Sequence, residues 1–217
     1  MKARQSGFGL LEVVMALAIG LMLLAAASQL FASAHQTWRL QSTAVRMQDE
    51  ARQALLRMAQ DIRMAGMFGC LRLRPDDFKS STAQQAFARP LEVAPSMLSL
   101  VVAELPGQAG APDWFLQTDC LEKVSVEDGQ SASKPHPLAY PVSKYVYQLN
   151  GDTLSFRRRT SFQPLVENVR EVHFERVQTP RGERVDIALT LYEPTLKLEQ
   201  RHELSVAPVS YTHLRAH

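Results

Sequence analysis

From Phe8 to Ala65 the chain contains no proline, and between Gln29 and Gly66 it contains no glycine either. Those are the two residues that break helices. The stretch is therefore predicted to form one helix, about 85 Å long at 1.5 Å per residue. Its two halves differ in chemistry. Residues 8–27 are apolar almost all round, a run of roughly the length needed to cross a bilayer, with Glu12 as the exception. From Gln29 the sequence turns polar, and Leu40, Ala44, Met47, Ala51, Leu55, Met58, Ile62 and Ala65 recur in steps of three or four. That spacing draws one buried stripe along an amphipathic helix. Arg46 with Glu50 and Arg57 with Asp61 stand four apart and can pair on its wet face, each pair contributing a few tenths of a kcal/mol. Gly66 is the expected stop.

An acid inside a membrane segment costs about 2.5 kcal/mol or more on insertion scales, and Glu12 therefore calls for a partner. Three readings compete for residues 1–34. One is a secretory signal with basic Lys2 and Arg4 and a cut after "ASA" at Ala32–Ala34. Another is an uncleaved anchor. The third cuts the leader at Gly7 and keeps the apolar segment. The uninterrupted run from Val13 to Ala27 exceeds what a signal core needs, which favours the third.

The string "RQSGFGLLEVVMALAIG" places a basic leader, a glycine, a phenylalanine and then a glutamate in that order. It closely resembles the class III signal of type IV prepilins and type II secretion pseudopilins. The resemblance implies that a membrane-embedded prepilin peptidase cuts between Gly7 and Phe8 and that the new amine of Phe8 is methylated. It also implies that Glu12 is the family's buried assembly glutamate, the fifth residue after the cut. A glutamate four residues from that amine lies about 6 Å further along the helix, an awkward pairing within one chain. Between staggered subunits, one chain's carboxylate can meet another's amine and neutralise both charges in low dielectric. Lys2 and Arg4 would hold the N-terminus in the cytoplasm and put the body outside.

Beyond Gly66 the pattern changes to short strands. Residues 96–104, 114–126, 144–149, 153–158, 168–177, 184–192 and 195–206 each read as strand, and Asn150-Gly151-Asp152 is a hairpin signal. Residues 66–95, with Pro75 and Pro90, read as a long connector without regular structure, and 106–112 and 134–137 as loops. The expected fold class is α+β: a pilin-like long N-terminal helix, hydrophobic then amphipathic, packed on an antiparallel sheet. The expected layout is a leader over 1–7, a membrane or filament-core half-helix over 8–28, an amphipathic half-helix over 29–66 and a sheet-rich periplasmic head over 67–208. The final "VSYTHLRAH", residues 209–217, resembles translated vector read-through and carries no expected function.

"RQALLRMAQDIRMAGMFGC", "LVENVREVHFE" and "VDIALTL" are together similar to PilW-type minor pilins and, less closely, to the J-type pseudopilins. That similarity implies a minor pilin acting in an initiating or tip complex of a type IV pilus, in motility or adhesion. Its partners would be other minor pilins, the major pilin, the prepilin peptidase, the inner-membrane assembly platform and membrane lipid. A membrane-anchored periplasmic binding domain is the alternative from another class.

Cys70 and Cys120 are the only cysteines. With no C-x-x-C they cannot make a four-ligand zinc site, and outside the cytoplasm a disulfide is their simplest use. No G-x-S-x-G, H-E-x-x-H or glycine-rich phosphate loop occurs. No enzyme activity, cofactor or metal is therefore expected. His35, His136, His173 and His202 are scattered, Asp76-Asp77 and Asp119 match no calcium loop, and Trp38 and Trp114 read as packing residues. The net charge of +2 gives no sign of a nucleic-acid partner, and Arg157, Arg158 and Arg159 read as a solvated strand edge.

Overall fold

The structure of the chain, a computed structural model, describes residues 9–68, 73–104, 111–120, 123–129, 138–180 and 182–209. It divides into two compact units, residues 1–46 and 47–217. Helix α1 spans Leu10–Met64 and, as the spacing predicts, ends just before Gly66. Gly66 adopts the left-handed conformation (φ 74°), where a side chain would be strained. Its N–H donates to the carbonyl of Val101 at 3.1 Å, tying the end of the helix to a strand.

In the first unit, every α1 residue from Leu10 to Ser42 is exposed within the single chain. In the second unit the helix acquires a buried face: Met47, Ala51, Ala54, Leu55, Met58, Ala59 and Ile62. Leu40, expected in the stripe, is exposed and Ala44 is half-buried, so burial begins at Met47. The three alanines let the sheet approach closely, while Met58 and Ile62 are fully buried. Burying a side chain of that size is worth about 1.5–3 kcal/mol.

The strands form two antiparallel sheets. The larger holds β1 (Leu91–Ala94), β2 (Met97–Ala103), β3 (Trp114–Thr118), β4 (Val124–Asp128), β5 (Leu138–Asn150), β6 (Thr153–Arg158) and β7 (Ser161–Val166). Strand β5 is its spine. Along one edge it pairs with β2; along the other, residues 138–142 pair with β3 and residues 145–150 with β6. The smaller sheet is a meander of β8 (Val169–Thr179), β9 (Gly182–Glu193) and β10 (Leu198–Val206). The hairpin expected at Asn150 is present: Asn150 pairs with Thr153 around a two-residue turn in which Gly151 has φ 63°.

Two cores result. One packs the buried face of α1 against Leu98, Leu100, Tyr145, Tyr147, Leu154 and Phe156 of the larger sheet and Val172, Phe174, Ile187 and Leu189 of the smaller. The other lies on the opposite face of the larger sheet, where Ala83 and Phe87 of helix α2 (Ser81–Ala88) cover Val101, Trp114, Leu116, Val126 and Val142.

Several expectations are corrected. Residues 66–95 are not a structureless connector, since they carry a 3₁₀ turn at Pro75–Asp77, helix α2 and strand β1. The single strand expected over 114–126 is two strands, separated by a turn in which the Asp119 carboxylate accepts the N–H of Lys123 at 2.9 Å. Strand β5 begins at Leu138 rather than 144, and β7 was not expected at all.

Candidate functional site

The chemistry that distinguishes this chain is concentrated at the start of α1. Glu12 lies in the first helical turn, with its own N–H bonded to the carbonyl of Gly9 at 3.0 Å. Around it Leu10, Leu11, Val13, Val14, Met15 and Leu17 are all exposed. Among the described residues α1 is the one helix long and apolar enough to cross a membrane. No described cation pairs with Glu12. An acidic group on a surface this apolar is costly to bury alone, so any partner that covers the helix has to answer its charge. The expected cleavage pair, Gly7 and Phe8, lies outside the described residues.

The remaining sequence-predicted residues are spread over the molecule. Cys120 follows β3 in the left-handed conformation (φ 58°), its N–H donating to the Thr118 hydroxyl at 2.9 Å. No described cysteine is a free thiol, and Cys70 lies outside the described residues. His35 stacks on Phe31 and meets the Trp38 ring at a tilt on α1. His173 is exposed on β8, His202 is half-buried on β10, and His136 lies outside the described residues. Asp76 and Asp77 form the 3₁₀ turn, where the Asp77 carboxylate accepts the N–H of Arg74 at 2.6 Å. Trp114 packs in the second core, but Trp38 is 64% exposed and is not a packing residue within the single chain.

Two polar clusters inside the second unit were not legible in the sequence. The Tyr147 ring is fully buried between α1 and the sheet, and its hydroxyl donates to the Asp61 carboxylate. Burial pushes the Asp61 carboxyl above its usual range, against the opposing pull of that hydrogen bond and of Arg57. Arg57 stacks on the Phe156 ring at 4.1 Å and donates to Gln163 at 3.3 Å. Asp61 is therefore a link between helix and sheet rather than a wet-face partner alone. The second cluster is a two-pronged ion pair: Arg158 Nε and Nη2 donate to the two carboxylate oxygens of Glu104 at 2.5 and 2.6 Å. The side chains are 16% and 2% exposed. Burial and this carboxylate push the nearby Tyr145 hydroxyl up to about 12. The expected solvated edge is thus corrected at Arg158, which is held in a desolvated pair; Arg159 is exposed, with its Nε 3.1 Å from Asp113.

Among the described residues no group of three or more histidine, cysteine, aspartate or glutamate side chains is placed to hold a metal ion. Neither polar cluster puts a nucleophile beside a base in an accessible cavity, and both join structural elements.

Comparison with known families matches residues 2–28 to the prokaryotic N-terminal methylation motif. No curated protein and no solved structure matched the chain. The motif spans Gly7, Phe8 and Glu12 and supports a type IV pilin-like protein, either a pilin or a pseudopilin. Together with the exposed apolar helix it supports anchoring to the membrane by a single N-terminal helix. It points to a structural subunit rather than an enzyme, one that meets prepilin peptidase and other components of its system.

Proposed function

We propose that this chain is a minor pilin of the PilW type, processed between Gly7 and Phe8, that takes part in the initiating or tip complex of a type IV pilus. The observation that carries the reading is Glu12 within an exposed apolar helix that begins inside a prepilin methylation motif. Before assembly the helix sits in the inner membrane with its N-terminus cytoplasmic and the head in the periplasm; afterwards it packs among other pilin helices. The work is assembly: Glu12 meets the methylated amine of a neighbour's first residue, and the head selects which pilins adjoin. The partners are other minor pilins, the major pilin and the inner-membrane assembly platform.

The resemblance of residues 52–70 to PilW-type pilins supports pilus over secretion system. A J-type pseudopilin is the second reading, favoured by the lesser similarity of the same segments. A cellular abundance far below that of a major pilin is expected for the first, and a secretion-operon neighbourhood identifies the second.

Intact-mass and N-terminal analysis of the protein from native membranes tests the assignment. The expected first residue is an N-methylated Phe8. A chain beginning at His35 would restore a secretory signal and remove Glu12 from the mature protein; a chain still carrying Lys2 and Arg4 would make the segment a plain anchor.

The head is further held by a Cys70–Cys120 disulfide. The two positions stand 50 residues apart, and closing a loop of that size contributes about 4 kcal/mol in the chain-entropy model. Thiol titration of the unfolded, unreduced protein is expected to find no free thiol, and reduction is expected to slow its migration on denaturing gels. Two titratable thiols before reduction would refute the bridge.

A further inference from the structure

The face of the larger sheet turned away from α1 carries an open cleft of about 380 Å³ beside helix α2. Strand register builds it. Glu92 of β1, Ser99 of β2, Val146 of β5, Arg157 of β6 and Phe162 of β7 are successive cross-strand partners in one row. Val146 alternates along β5 with Tyr145 and Tyr147, which belong to the α1 core, so the row lies on the opposite face. Val146 and Trp114 make an apolar floor, and Thr82 and Gln85 of α2 a neutral polar wall.

The charges of this cleft do not cancel. Lys144 stands 3.6 Å from Glu92. Arg159 is engaged by the Asp113 carboxylate, whose other oxygen accepts the backbone N–H of Lys144 at 2.9 Å. Both carboxylates are thereby committed. Arg157, half-buried, has no carboxylate partner among the described residues; its guanidinium lies 5.8 Å from the centre of the Phe162 ring. Phe162 itself is 61% exposed at the sheet margin. A spare guanidinium next to an exposed aromatic ring and an apolar floor is the chemistry of a protein-interface hot spot, where arginine and aromatic residues are enriched. A small free anion would satisfy Arg157 and leave Phe162 uncovered.

We infer that this cleft docks an acidic segment of a neighbouring protein, seating a carboxylate on Arg157 in a forked charge-assisted pair and an apolar side chain on Phe162. The inference goes beyond the pilin reading and does not depend on it, because binding is measured on the isolated full-length chain whether or not the chain assembles.

The test uses that chain in detergent micelles and fluorescence polarisation of a labelled peptide of alternating glutamate and leucine, with its glutamine counterpart as control. The unaltered protein is expected to bind the glutamate peptide at least tenfold more tightly than the glutamine one, with affinity falling as salt is raised. Arg157→Gln and Phe162→Ala should each lose at least tenfold, whereas Arg201→Gln on the exposed face of β10 should lose less than twofold. Arg157→Glu should reverse the preference in favour of a lysine–leucine peptide, a gain that a misfolded variant could not show. Equal binding by the Arg157 variants and the unaltered chain, absence of binding by the unaltered chain, or full competition by millimolar citrate with no effect of Phe162→Ala would overturn the proposal. The citrate result would reassign the cleft to a small organic anion.

Discussion

Glu104→Ala is expected to destabilise the head by about 3–5 kcal/mol, the range for removing one partner of a buried ion pair. Glu104 is 2% exposed and Arg158 16%, and the two meet through both prongs of the guanidinium. Truncation would leave a cation in a pocket sized for a pair, with little water to replace the lost oxygens. The loss would mostly reflect that stranded charge rather than a large net gain from the pair itself, because desolvating both ions has already consumed most of their attraction. The double replacement Glu104→Leu with Arg158→Met is therefore expected to come within about 1 kcal/mol of the starting stability, or to exceed it. Urea unfolding followed by Trp114 fluorescence measures both, in a Trp38→Phe background that removes the other indole. A single-variant loss under 1 kcal/mol, or a double variant as weak as the single, would show that Arg158 finds water instead.

The long helix was legible because its signals are local. Absence of proline, a change from all-round apolar to striped sequence, and Gly66 as terminator can each be read within a few turns. Where the buried part of the stripe begins could not be read, since Leu40 and Ala44 fit its period but Leu40 is exposed and Ala44 only half-buried. Some elements were hidden by residues that ordinarily argue against them. Pro164 sits in β7, a margin strand where a missing N–H is tolerated, and Pro141 lies within β5 opposite Phe115. The break between β3 and β4 was missed for the converse reason. Its turn contains neither glycine nor proline and is made by Cys120 in a left-handed conformation and by the Asp119 side chain.

The polar clusters and the cleft fall in a different class. Glu104 and Arg158 stand 54 positions apart, and Asp61 and Tyr147 86. Such contacts exist only once strand register and helix placement are set, and a one-residue slip would turn each strand partner to the other face. The same holds for Arg157, Arg158 and Arg159. Adjacent in sequence, they have three environments: a cation in the cleft with no carboxylate partner among the described residues, a buried forked pair, and a turn residue with φ 54° beside Asp113.

Glu12→Val is expected to leave membrane insertion and cleavage between Gly7 and Phe8 intact while reducing recovery of partner pilins at least tenfold. The two halves of this expectation come from different physics. Insertion should improve, because replacing an acid with valine removes about 2.5 kcal/mol or more from the cost of the segment. Assembly should suffer, because a neighbour's amine drawn into the helix packing would then lie desolvated with no carboxylate to meet it. Tenfold corresponds to about 1.4 kcal/mol, small beside the several kcal/mol that a stranded buried charge can cost. Glu12→Gln separates charge from shape: it keeps the side chain's size and a hydrogen-bond acceptor but cannot neutralise the amine, so it should behave like the valine variant. Immunoprecipitation from membranes with quantitative mass spectrometry reads partner recovery and the N-terminal residue in the same sample. Unchanged recovery with a correctly processed Phe8 would reduce the segment to an anchor. Loss of both recovery and processing would place Glu12 in the peptidase's recognition of its substrate instead of in contact between subunits.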